Sequence, residues 1–218
     1  MGSEGRGVGR AIALGAVATL WVTTCVGGLA ALAWYQATPG TAAPAADWPA
    51  HSRVARAASA DTLVLFVHPK CPCSRATIEN LAVLMAHCPP GHLRAVVLLV
   101  RPVGMPDGWE RTDLWTSAAA IPGVTVATDV AGAEAARFRA QTSGQAMLFD
   151  PAGRLRFRGG LTPGRGHAGD SAGAAAVLAI VGGEPSGWGS TPVFGCPLGG
   201  DSCPVLKDAG GPQPSVGG

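Results

Sequence analysis

The apolar pattern divides the chain at once. From Ala11 to Tyr35 there is no charged residue, a run of about 25 positions or roughly 37 Å as a helix, enough to span a bilayer with some tilt. Beyond it the apolar runs are short and alternate between two periods. Leu63 to Val67 has the length and composition of a buried strand. His68-Pro69-Lys70 breaks it, Cys71-Pro72-Cys73 follows, and Ile78, Leu81, Met85 and Cys88 then recur at helical spacing with Ala82 and Leu84 beside them. Cys88-Pro-Pro-Gly91 stops that helix. Leu93 to Val100 predicts a second strand, and Asp107 is placed to cap a helix from Gly108 to about Ala119. Val124 to Ala127 predicts a third strand, Ala131 to Ala140 a helix, and Gln145 to Phe149 a fourth strand. Asp150-Pro-Ala-Gly153 turns that strand into Arg154 to Arg158 as a hairpin. A glycine-rich loop from Gly159 to Gly169 carries His167, and Asp170 or Ser171 caps a last helix to about Val181. The predicted fold is a mixed α/β sheet flanked by helices on both faces, preceded by one transmembrane helix.

Five segments follow: residues 1–10, a transmembrane helix at 11–35, a linker at 36–60, the α/β domain at 61–182, and a Gly/Pro-rich tail at 183–218. Arg6 and Arg10 precede the span and no basic residue closely follows it, which puts the N-terminus in the cytoplasm and the rest outside. Trp34 and Tyr35 suit the interface. Ala31-Leu32-Ala33 offers the rival reading of a signal-peptide cleavage site. Either way the domain is extracytoplasmic. Cys25, inside the span, is expected only to pack. Thr38 to Ala60, rich in Ala, Pro and Thr, reads as a spacer. The tail contains Phe194-Gly-Cys196-Pro-Leu198, an aromatic and a cysteine that a featureless tail does not need. Thr191 to Leu198 is therefore expected to fold back onto the domain, leaving Cys203 beyond a loose end.

Composition narrows the chemistry. Charged residues are 14% and the net charge is +2, which excludes a nucleic-acid binder by electrostatics. Six cysteines are too few for a disulfide scaffold of this length. Cys71 falls where an N-cap belongs, with Pro72 at the first helical position. Free amides, the helix dipole and the nearby Lys70 and Arg75 all favour thiolate there. Terms of about 0.5–2 kcal/mol would bring an ordinary thiol pKa of about 8.5 close to neutral. The competing reading is a buried cysteine that merely packs. Cys88 closes an apolar stripe, where desolvation raises a thiol pKa.

Strand, cysteine motif at a helix start, two further βα units, hairpin and helix resemble the thioredoxin-like fold. More closely, HPKCPCSRATIENL, TSGQAMLFDPAGRLRFRGG, RGHAGD and TPVFGCPL, in that order over Asp61 to Leu198, resemble the RedB-type thioredoxin-like proteins of bacteria. That resemblance implies the fold and a membrane anchor. Two departures from ordinary thioredoxins stand out: the motif is Cys-x-Cys, and Gly144-Gln145 replaces the proline that usually lies beside the cysteines. In the first functional reading, Cys71 attacks a disulfide and Cys73 or Cys196 resolves it, with thiols and disulfides of exported proteins as partners. The alternative is a copper or zinc site drawn from His68, Cys71, Cys73, Cys196 and His167. A third is a structural module of a membrane complex whose cysteines form one static disulfide.

Overall fold

A computed structural model describes residues 4–199; Cys203 lies outside them. The chain forms two compact units, 1–38 and 39–218. The first is α1, Glu4–Ala37, whose Gly9–Ala37 portion is long and apolar enough to cross a membrane, a test that a signal sequence also passes.

In the second unit the order is β1 (Asp61–Val67), α2 (Cys73–His87), β2 (Leu93–Arg101), α3 (Asp113–Ala119), β3 (Val124–Val130), α4 (Ala133–Arg137), β4 (Gln145–Phe149), β5 (Leu155–Gly160) and α5 (Ala172–Val181). The sheet runs β3-β2-β1-β4-β5. β1, β2 and β3 are mutually parallel, while β4 lies antiparallel to both β1 and β5. β1 is central and buried on both faces, so its side chains feed two cores. Leu63, Leu65 and Val67 join Ile78, Leu81 and Leu84 of α2 and Val177 and Ile180 of α5. Val64 and Phe66 join Phe138, Met147 and Phe149 on the opposite face. Leu81 is fully buried, and its truncation to Ala would cost about 2–5 kcal/mol.

Three expectations need correction. The segment read as a spacer is packed onto the domain from Pro39 onward. Trp48 meets Phe138 and Phe149 edge-on, with centroids 5.2 and 5.0 Å away. Ala43 is fully buried, and its N–H donates to Gln145 Oε1 at 2.9 Å. This irregular strip covers the face that α4, a helix of only five residues, leaves open. Second, the helix expected from Gly108 begins at Asp113 with Thr112 as its N-cap. Gly108 has φ +83°, outside helical geometry, and Asp107 pairs with Arg101 instead of capping. Third, α4 is shorter than Ala131 to Ala140, because Ala131, Gly132 and Arg139 all adopt left-handed φ. The cap of α5 is Ser171, whose Oγ accepts from the Ala174 N–H at 3.1 Å.

Candidate functional site: three thiols at the start of α2

β1 ends at Val67, and the chain turns tightly enough for the Cys71 N–H to donate to the His68 carbonyl at 3.0 Å. Ser74 N–H then donates to the Cys71 carbonyl at 3.0 Å, opening the helix. The regular helix starts at Cys73, with Pro72 in the cap position, so Cys71 stands one residue further out than the N-cap reading put it. The loop before β4 is stitched to this turn. His68 N–H donates to Ser143 Oγ at 2.8 Å, Ser143 Oγ lies 2.8 Å from Ser74 Oγ, and Gly144 N–H donates to the Phe66 carbonyl at 2.8 Å. Ser74 and Ser143 are both buried and satisfy one another, as buried hydroxyls must.

The tail segment reaches the same point. Ser143 N–H donates to the Cys196 carbonyl, and Leu198 N–H to the Gln141 carbonyl, both at 2.8 Å. The Cys196 sulfur lies 3.1 Å from the Cys71 sulfur. Cys71, Cys73 and Cys196 are all free thiols. Hydrogen bonds from Cys196 and then Cys73 to the Cys71 sulfur hold its pKa far below the usual thiol range, against the opposing effect of burial. Cys196 is pushed correspondingly up, first because its proton is engaged by Cys71 and then by Cys73. Cys73 accepts from Cys196, which acts downward; its own bond to Cys71, burial and the Cys71 charge outweigh that, and its pKa is raised. Of the three sulfurs, Cys71 is the one whose thiolate form is favoured.

His68 is buried, and burial pushes its pKa down, so the ring is neutral. Its Nδ1 accepts from the Lys70 N–H at 3.3 Å, which assigns the proton to Nε2. That Nε2 is buried without a hydrogen-bond partner. The ring packs edge-on against Trp109, with centroids 5.8 Å apart. The two cations expected to favour the thiolate are otherwise engaged: Lys70 Nζ sits 4.5 Å over the Trp109 ring, and Arg75 pairs at the surface with Asp113. The cation acting on Cys73 is Arg165, which only partly offsets the rise in its pKa and donates from Nη1 to the Gly195 carbonyl at 2.6 Å. Sequence reading missed Arg165, Ser74 and Ser143. All three lie inside quoted motifs, but single polar residues carry no periodicity that marks their role.

His167 does not join the cluster. It is exposed, and its Nδ1 meets the Arg165 carbonyl at 2.7 Å. Among the described residues no three His, Cys, Asp or Glu side chains are disposed to hold a metal ion. The ligand set His68, Cys71, Cys73, Cys196 and His167 is therefore not assembled here.

Three parallel βα units feeding an antiparallel hairpin and a closing helix, with cysteines at the start of α2, make a thioredoxin-like fold. No protein-family model and no curated protein matches the chain. Among solved structures it is similar to an uncharacterized conserved protein from Geobacillus kaustophilus, with TM-score 0.55 and 19% identity over 74% of this chain and 91% of that one. It is also similar to a hypothetical protein from Sinorhizobium meliloti 1021, with TM-score 0.53 and 22% identity over 74% of this chain and 93% of that one. A looser likeness is to a secreted Mycobacterium tuberculosis disulfide oxidoreductase homologous to E. coli DsbE, with TM-score 0.42 and 16% identity over 57% and 81% of the two chains. The first two likenesses speak to the fold alone, and the third carries no argument.

Proposed function

We propose that this chain is a membrane-anchored, extracytoplasmic thiol–disulfide exchange protein of RedB type, acting through Cys71 and Cys196. The single observation that carries this reading is the 3.1 Å contact between their sulfurs, which favours the thiolate form at Cys71 and the thiol form at Cys196. The Cys71 thiolate attacks one sulfur of a partner disulfide, forming a mixed disulfide and releasing the partner's other sulfur as a thiolate. Cys196 passes its proton to that leaving thiolate and attacks the Cys71 sulfur. The second partner sulfur then leaves, and the Cys71–Cys196 disulfide remains. Two electrons pass to the partner, and a reduced dithiol protein restores the pair. A thiolate stabilised this strongly also favours the reduced state, so the same pair can run in reverse as an oxidant of partner dithiols.

Cys73 supports the thiolate by hydrogen bonding and is not assigned as the resolving sulfur. A Cys71–Cys73 bridge would close a small, strained ring. The test is reduction of insulin disulfides by the reduced full-length chain in detergent. Activity that is abolished in Cys71→Ser and absent in Cys196→Ala supports the assignment; unchanged turnover in either variant refutes it. For topology, a reporter fused after Gly218 should be active outside the cytoplasm, and activity confined to the cytoplasm would overturn the orientation.

A further inference from the structure

Any sulfur that reaches Cys71 must come past the segment now facing it. Residues 195–198 run antiparallel beside residues 141–143. Two 2.8 Å bonds, from Ser143 N–H to the Cys196 carbonyl and from Leu198 N–H to the Gln141 carbonyl, flank a bridge between Thr142 and Pro197. An extended polypeptide adding itself to an open backbone edge makes this kind of ladder. The fit is close at Gly195, where a Cβ would stand 1.8 Å from the Ser143 carbonyl oxygen. Beneath the segment Cys71 is only 2% exposed. A groove of about 850 Å³ continues beside it, lined in part by His68, Gln141, Thr142, Gly195 and Pro197.

We propose that residues 195–198 are a tethered strap, occupying in cis the backbone edge on which a partner polypeptide must pair to bring its own cysteine to Cys71, and that the strap lifts to admit the partner and then returns, displacing it from the edge and bringing Cys196 back to the mixed disulfide. This rests on reading Cys71 as the attacking sulfur. The partner so selected is an extended segment with glycine immediately before its cysteine, because the Ser143 carbonyl leaves no room for a side chain there. Arg165 closes the strap by gripping the Gly195 carbonyl. Val193, fully buried and with its carbonyl bonded to Gly40 N–H at 2.8 Å, anchors the strap upstream.

The test is the rate of iodoacetamide labelling of Cys71 and Cys196 in the reduced full-length chain, for wild type, Gly195→Ala and Arg165→Ala, with circular dichroism confirming the fold. Cys71 should be protected in wild type. Both substitutions should speed labelling of Cys196, and with it of Cys71, by about tenfold or more, as release of a local segment does. Four results would overturn the strap: wild-type Cys71 labelling as fast as in the variants; Cys196 protected in both variants; Cys196 freed with Cys71 no faster; or loss of the fold in both variants. A Cys71–Cys196 dimer on non-reducing electrophoresis would give the edge to a second copy and overturn it as well. Labelling involves no exchange with a partner. Protection without insulin reduction therefore removes the proposed function alone, and insulin reduction without protection removes the strap alone.

Discussion

Helix α2 carries a cysteine at each end, and the two ends differ in every respect that matters to sulfur. Cys88 is the C-cap, half-buried, with its N–H bonded to the Leu84 carbonyl at 3.1 Å; burial alone pushes its thiol pKa up. Cys71, two residues before the other end, is more deeply buried and yet is driven far the other way. Burial cannot explain the contrast, since it acts upward at both sites. The neighbours explain it: contact with Cys196, whose sulfur lies 3.1 Å away, and then with Cys73 lowers the Cys71 pKa against burial, while burial alone acts on Cys88. The lesson is that a helix start matters less here than a second segment of chain arriving with a proton to share.

The comparison breaks most visibly through Cys71→Ser. Insulin-disulfide reduction should fall by about a hundredfold or more, as loss of a nucleophile does. Residual activity above a tenth of wild type would move the role to Cys73. Next in size is Cys196→Ala, which removes both the resolving sulfur and the largest donor to Cys71. Mixed disulfides with the partner should accumulate about tenfold, and the thiolate absorbance near 240 nm should titrate at higher pH. An unmoved titration would mean that Cys196 does not hold the Cys71 charge.

The pH dependence of stability sharpens the contrast. Cys71 is depressed in the folded state, so its contribution is complete above the ordinary thiol pKa of about 8.5 and is lost as pH falls through its folded value. Cys88 is raised, so its contribution is complete below about 8.5 and is lost as pH rises through its folded value. Urea midpoints of the reduced chain between about pH 5 and pH 10 should show Cys71→Ser flattening the acid side and Cys88→Ser the alkaline side. Both variants bending the same limb would contradict the assignment. The smallest effect is Cys88→Ser on activity, which should stay within about twofold of wild type, since it lies far from the exchanging sulfurs in the helix and costs only about 1 kcal/mol of stability.

Much of this site could be read from the sequence. The Leu63–Val67 run, the Cys71-Pro-Cys73 turn and the Ile78/Leu81 stripe are local signals, and the odd Phe194-Gly-Cys196 in a polar tail marked a docking segment. The Asp150–Gly153 hairpin and the Ser171 cap were legible for the same reason, because each is set by residues within a few positions. What escaped depends on contacts across the chain. Residues 39–60 have no apolar period, and their burial comes from Trp48 and from backbone bonds to Gln145 and Thr142, about a hundred positions away. Glycine-rich turns hid the true start of α3, since Gly108 signals a turn only once its φ is known. Ser143 and Arg165 gained their roles only when the tail arrived beside them.

The central claim is that Cys71 and Cys196 are the exchanging pair, and disulfide mapping tests it most directly. The reduced full-length chain is oxidised with oxidised glutathione, alkylated, digested without reductant, and its linkage resolved to the residue by fragmentation. The expected product is a bond from Cys71 to Cys196, with Cys73 and Cys88 alkylated. A Cys71–Cys73 bond with Cys196 alkylated, or a bond from Cys73 to Cys196, would contradict it.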